Sequence, residues 1–282
     1  MKLLRVGERG RETPAALDDD GNVRDLSGVI ADIDGAILGD ASLSALRKTD
    51  LGGLPVIRPE RIGPCVGRVG KVICIGLNYE DHAREAGLPI PAEPIIFLKA
   101  SSAISGPNDP IVIPRDAEKV DWEVELGIVI GAEASYVEEE RALDHVAGYC
   151  IVNDLSERGF QFDRGGTWDK GKSCDGFAPL GPWLVTADEI GDPQDLRLWL
   201  EVDGHRYQDG STRTMIFGVR RIVSYVSRFM RLEPGDVIAT GTPPGVGMGC
   251  KPPVFLKGGE TVRAGIDGLG VQSQTVVRPV RQ

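Results

Sequence analysis

Residues 120–131 read VDWEVELGIVIG. Val124, Leu126, Ile128, Val129 and Ile130 are apolar and mostly β-branched, which predicts a strand whose side chains alternate between two faces. One face then carries Trp122, Val124, Leu126, Ile128 and Ile130, a plain core surface. The other carries Asp121, Glu123, Glu125, Gly127, Val129 and Gly131, running from acidic to small and leaving room on that side. Glu123 and Glu125 stand roughly 6.6 Å apart along such a strand, and at an effective dielectric near 20 their repulsion is on the order of 2.5 kcal/mol. Water on an exposed face, an arginine or a cation would each relieve it. These residues by themselves leave the three readings open.

The composition narrows the setting. With 282 residues, the chain can build one large domain or a large and a small one. A formal net charge of −10 and the lack of a basic stripe argue against a nucleic-acid partner. Five cysteines, at 65, 74, 150, 174 and 250, form no C-x-x-C pair, which reads as reduced thiols and excludes a zinc ribbon. The N-terminus MKLLRVGERG lacks a signal-peptide pattern and no run approaches 18 apolar residues, so a cytoplasmic protein with no membrane partner is expected.

Residues 1–68 alternate short apolar pieces with turn signals such as DDDGN and end in GLPVIRPERIGPC, the pattern of a small N-terminal domain. Residues 69–282 read as many strands, among them KVICIG, PIIFLK, VAGYCIVND, LRLWLEVDG and DVIATGT, with helical patterning confined to short segments. The expected class is α+β, mainly β, without the regular βαβ alternation of a Rossmann or TIM fold. GTPPGVG at 241–247 lacks the Gly-Lys-Ser/Thr ending of a phosphate loop, and its prolines remove two amide donors, so it reads as a rigid turn lining a pocket.

Three further segments carry chemistry. In AGYCIVNDLSER, residues 147–158, an apolar strand ends at Asp154 before a helix start, with Ser156 available as a cap. Asp154 either caps that helix or meets Glu123 and Glu125 at the strand end. Three oxygen ligands without histidine or thiolate would suit Mg²⁺, Mn²⁺ or Ca²⁺. In GLNYEDHAREAG, residues 76–87, His82 and Glu85 stand three apart on one face of a short helix, either as an exposed pair or as a base with its orienting carboxylate. Lys170 and Lys172 lie in GGTWDKGKSCDGFAP, either solvated or placed to stabilise an oxyanion.

In their order along the chain, GLNYEDHAREAG, PIIFLKASSAISGP, DWEVELGIVIG, GYCIVNDLSER, KGKSCDGFAPLGPWL, LEPGDVIATGTPPGVG and AGIDGLG resemble the fumarylacetoacetate hydrolase superfamily from about residue 70 to 276. The resemblance implies a twisted, mixed β-roll catalytic domain, usually homodimeric. It implies Mg²⁺ or Mn²⁺ on Glu123, Glu125 and Asp154, with Ca²⁺ admitted by the same oxygens. It assigns a dyad on a mobile lid to His82 and Glu85, and substrate oxygens to Lys172. It makes Arg158 and Gln161 polar substrate-contacting positions and Thr242 a pocket threonine, and groups Lys99 with this substrate-binding set as a lysine supporting it from behind. The implied reaction is hydrolytic C–C cleavage of a 2,4-dioxo acid of the acylpyruvate type to pyruvate and a carboxylic acid. The segment from SERGFQFDR to GPWLVT resembles members acting on 2,4-diketo-3-deoxy-L-rhamnonate or fuconate, so a polar tail is expected. Competing readings are ureidoglycolate lyase, oxaloacetate decarboxylase, 2-oxo acid hydratase or isomerase, and outside enzymes a structural Ca²⁺-binding protein.

Overall fold

The computed structural model describes residues 1–279. The strand expected from VDWEVELGIVIG forms over Val124–Ile130 and lies inside a ten-stranded sheet. Val146–Asn153 pairs with it antiparallel on one side, and Val237–Ala239 on the other. The sheet continues through Val72–Gly76 to an edge at Ile95–Lys99; only Val237–Ala239 and Val72–Gly76 run parallel within it. A second sheet of five strands packs over this one, with Arg197–Val202, Thr261–Ile266 and Gly270–Val277 in its middle. The class is thus α+β, mostly strand, as expected.

The period-two reading holds on one face. Val124, Leu126, Ile128 and Ile130 are fully buried in the core between the sheets, alongside Leu198, Leu200, Val262 and Ala264. The opposite face requires a correction. A Cβ at Gly127 would lie 2.7 Å from Val152 and one at Gly131 2.6 Å from the Leu38 carbonyl, so small residues there admit close packing instead of leaving space. Room exists only at the acidic end. The strand also starts later than expected, with Val120–Asp121 forming a separate short strand against Ser156–Glu157.

Two other local expectations change. Ser156 is not the helix cap: its hydroxyl donates to the Asp154 carbonyl, and Glu157 accepts from Phe160 N to cap Arg158–Phe162. Lys172 is not in an open loop but at the end of a one-turn helix, Asp169–Lys172, and is buried.

The N-terminal residues supply four strands of the large sheet. Lys2–Val6 joins Leu184–Thr186, and Thr13–Leu17, Val23–Asp25 and Val56–Ile57 follow outward. Cys65, Val66 and Val69, beside the expected boundary at 68/69, share a core with Cys74, Cys150 and Val152. An ion-pair knot reinforces this junction. Arg61 reaches Asp109 through Nε and Nη2, both at 2.7 Å, and Glu12 through Nη1 at 2.9 Å. Burial opposes ionisation of Glu12 and Asp109, but the Arg61 hydrogen bonds outweigh it and hold both carboxyls below their ordinary range. A carboxyl with a depressed folded value stabilises the fold above its unfolded value, and that contribution fades as pH falls through the folded one. Arg61→Ala should cost about 2 kcal/mol near neutrality, measured by urea unfolding. The difference from the native protein should shrink below about pH 4.

Candidate active site

Register brings the acidic residues together. Val124 stands opposite Asn153, and Asp154 N donates to the Glu123 carbonyl at 2.9 Å, so Asp154 leaves its strand beside the point where Glu123 enters the neighbouring one. Oxygens of Glu123, Glu125 and Asp154 lie within 4.8 Å of one another, and all three side chains are buried.

Three cations crowd the cluster. Lys172 Nζ donates to Glu123 Oε2 and Asp154 Oδ2, each at 2.7 Å. Lys99 Nζ pairs with Asp154 Oδ1 and donates to the Leu155 carbonyl at 3.0 Å. Arg158 spans Asp121 (Nε, 2.9 Å), Glu123 (Nη2, 2.5 Å) and Gln161 (Nη1, 3.1 Å). Burial alone would raise the Glu123 carboxyl, yet Lys172 and Arg158 override it and hold it ionised, well below the usual range. Burial likewise disfavours the Lys172 ammonium, and Asp154 and Glu123 more than restore it.

Glu125 differs from its neighbours. Among the described residues it makes one hydrogen bond, accepting from Gly241 N at 2.8 Å, and no ion pair. Burial first, then the adjacent Asp154 and Glu123 charges, push its carboxyl well above the ordinary range. A hard divalent cation fits this donor set: all ligand atoms are carboxylate oxygens, and the least compensated one points at the other two.

Across the cavity stands the helix Glu80–Ala86, ended by Gly87 in the left-handed conformation. His82 Nδ1 lies 2.9 Å from Glu85 Oε2. Glu85 Oε1 accepts from Gly245 N at 2.9 Å, which docks the helix onto the 241–247 turn. Asn78 fixes the helix entrance by donating to the carbonyls of Phe217 and Thr240. Leu77, with φ of 50°, turns the chain out of the strand Val72–Gly76. A non-glycine residue in this region is strained and persists only where its surroundings enforce it.

Nine of the ten expected site residues line one cavity of about 590 Å³: His82, Glu85, Glu123, Glu125, Asp154, Arg158, Gln161, Lys172 and Thr242. Lys99 does not. It lies behind Asp154 and is 3 % exposed, so it supports that carboxylate, as the resemblance implies, and its grouping with the substrate-binding residues is corrected to that supporting place. Thr242 reaches the wall with its hydroxyl already engaged, donating to the Val124 carbonyl and accepting from Gln208 Nε2, both at 2.8 Å. Sequence reading missed Asp121. Its carboxylate takes Gly247 N at 2.6 Å, Met248 N at 3.0 Å and Arg158, tying the turn to the floor. Its position one step before Trp122 in the acidic stretch was the available signal. The aromatic wall of Phe97, Phe162 and Trp168 was missed because its members come from three separate segments.

Comparison with known proteins places this arrangement. The chain belongs to the fumarylacetoacetate hydrolase family: the model of the fumarylacetoacetate hydrolase C-terminal domain matches residues 71–277. A Burkholderia ambifaria relative with a provisional hydrolase name is 62% identical over 277 residues, 98% of each chain. Fumarylacetoacetate hydrolase from the psychrophile Exiguobacterium antarcticum superposes with a TM-score of 0.86 at 36% identity, covering 99% of this chain and all of that one. Maleylpyruvate hydrolase from Sphingobium sp. SYK-6, solved with manganese(II) and pyruvate, superposes with a TM-score of 0.82 at 28% identity over 99% of this chain and 100% of that one.

The unequal compensation of the two glutamates gives a test. Without divalent ions, Glu123→Gln takes from Lys172 and from Arg158 one of the two buried carboxylates each is paired with, and should destabilise by about 3 kcal/mol. Glu125→Gln puts a neutral amide where the carboxyl is already pushed toward its neutral form, can keep the Gly241 N bond, and should be neutral or stabilising. Urea unfolding in EDTA measures both. Equal losses would show that Glu125 is compensated after all.

Proposed function

We propose that this chain is a divalent-metal-dependent hydrolase that cleaves the C3–C4 bond of a 2,4-dioxo acid, releasing pyruvate and a carboxylic acid. The observation that carries the reading is one cavity holding a buried carboxylate trio with a charged lysine on its floor and a His–Glu pair on the facing helix. Family membership and the pyruvate and manganese in the maleylpyruvate hydrolase neighbour support it. Mg²⁺ or Mn²⁺ as the cation and a homodimeric assembly are parts of the proposal that rest on the family resemblance, and a cytoplasmic setting is a part that rests on the sequence pattern of the N-terminus. The sugar-acid substrates suggested by the later segments remain an expectation of the resemblance and are not part of the proposal.

A cation on Glu123, Glu125 and Asp154 would supply Lewis-acid polarisation of the 2-oxo group. The chain's own residues do the rest. Glu85 accepts the Nδ1 proton of His82, which leaves Nε2 free to take a proton from water. The water oxygen adds to C4, the C3–C4 bond breaks, and its electron pair passes to C3 as the enolate of pyruvate. Lys172, kept protonated by its carboxylate neighbours, faces that developing charge. The proton taken from water then returns to C3, so atoms and charge balance.

Following the enol absorbance of a panel of 2,4-dioxo acids tests this. With Mg²⁺ or Mn²⁺ the absorbance should fall with one pyruvate released per substrate, and EDTA should stop it. His82→Ala should lower kcat by about 10²-fold or more. Metal-dependent turnover that survives His82→Ala would move the reaction to decarboxylation, hydration or isomerisation. An inert panel with folded, metal-loaded protein would overturn the reading.

A further inference from the structure

The cavity is larger than the head group needs. At about 590 Å³ it falls in the range of sites for drug-sized ligands. A pyruvate unit would occupy only the acidic floor. Beyond the floor the wall is apolar. Phe97 lies under Lys172, whose Nζ is 5.2 Å from the ring centroid, and so marks where charged floor becomes aromatic wall. Trp168 meets Phe97 edge-on at 5.3 Å and Phe162 at 6.2 Å.

The position of Trp168 is built into the sheet. A Cβ at Gly76 would sit 2.7 Å from the Trp168 ring, so the last residue of that strand must be glycine for the indole to lie where it does. Toward the mouth, Leu88, Ile95, Phe162 and Met248 also line the cavity and are 53, 37, 45 and 39 % exposed. Large apolar side chains left in contact with water around one cavity mark a binding surface. Hydroxyl-recognising amides and carboxylates are confined to the floor and the helix facing it. Gln161 amide oxygen is taken by Arg158, its amide nitrogen being left as a donor at the floor, and both Glu85 oxygens are engaged.

We infer that the acyl group accepted by this chain is apolar and flat, an aromatic or alkenyl group stacked on Trp168 and Phe97, and not a polyhydroxylated chain. The inference rests on the 2,4-dioxo acid reading for where the head group sits. It departs from the sugar-acid tail that the resemblance suggests, because a polyhydroxylated tail on this wall would lose water without gaining partners. Among the described residues lining the cavity, Lys251 is the cation away from the acidic floor, and a tail ending in a carboxylate is the alternative the test must separate.

With Mn²⁺ present, kcat/KM would be measured for 2,4-dioxo acids bearing phenyl, methyl, ω-carboxyalkyl and trihydroxyalkyl groups at C4. In parallel, calorimetry would give the Kd of the uncleavable probes 2-oxo-4-phenylbutanoate and pyruvate. The phenyl compound should exceed the trihydroxyalkyl one by about tenfold or more in kcat/KM, and the phenyl probe should bind more tightly than pyruvate by a similar factor. Trp168→Ala should abolish both preferences by raising KM and Kd for phenyl ligands more than for methyl ones, and Trp168→Phe should restore most of them. Preference for the trihydroxyalkyl or ω-carboxyalkyl substrate, or a phenyl preference untouched by Trp168→Ala, would overturn the inference. If no substrate turns over but the phenyl probe binds preferentially through Trp168, the hydrolase reading fails and the apolar subsite stands.

Discussion

The buried negative charge at one end of the sheet is the constraint on which the rest of this site depends. Asp121, Glu123, Glu125 and Asp154 are all nearly inaccessible, and Lys99, Arg158 and Lys172 are buried among them. Four carboxyl groups against three cations leave one without a charge partner, and the hydrogen bonds make that one Glu125, whose carboxyl is pushed toward the neutral form by burial and its acidic neighbours. Burying an unpaired carboxylate costs far more than an exposed one. On the proposed reading a divalent cation bound by Glu123, Glu125 and Asp154 supplies the partner that Glu125 lacks.

The same charges couple the floor to the walls. Asp121 joins Arg158 to the backbone of Gly247 and Met248, and Glu125 holds Gly241 at the other end of that turn. Glu85 then attaches the His82 helix to Gly245 in the middle. One turn therefore carries both the contact to the candidate ligand glutamate and the contact to the candidate base. The floor and the His82 helix are thus attached to the same short, proline-bearing turn.

Much of this was legible in the sequence, because it rests on local periodicity. Alternation in VDWEVELGIVIG correctly put Val124, Leu126, Ile128 and Ile130 in the core and Glu123 with Glu125 on the other side. Spacing of three on a helix correctly joined His82 to Glu85. What failed depends on partners distant in sequence. Gly127 and Gly131 read as empty space, yet Val152 and Leu38 fill it. Asp154 and Ser156 read as cap candidates, while Glu157 takes that role because Asp154 is drawn to Lys99 and Lys172. The pairing of Lys2–Val6 with Leu184–Thr186 spans most of the chain, and no local pattern announces that the N-terminal strands extend the large sheet. Trp168 looked like one loop residue among many until the sheet placed Gly76 beneath it.

A crystal soaked with Mn²⁺ and recorded at a wavelength where manganese scatters anomalously tests the central claim most directly. The account predicts one strong peak within about 2.0–2.3 Å of oxygens from Glu123, Glu125 and Asp154 together. A peak bound elsewhere, or a floor in which Glu125 remains without a cation at saturating Mn²⁺, would contradict it.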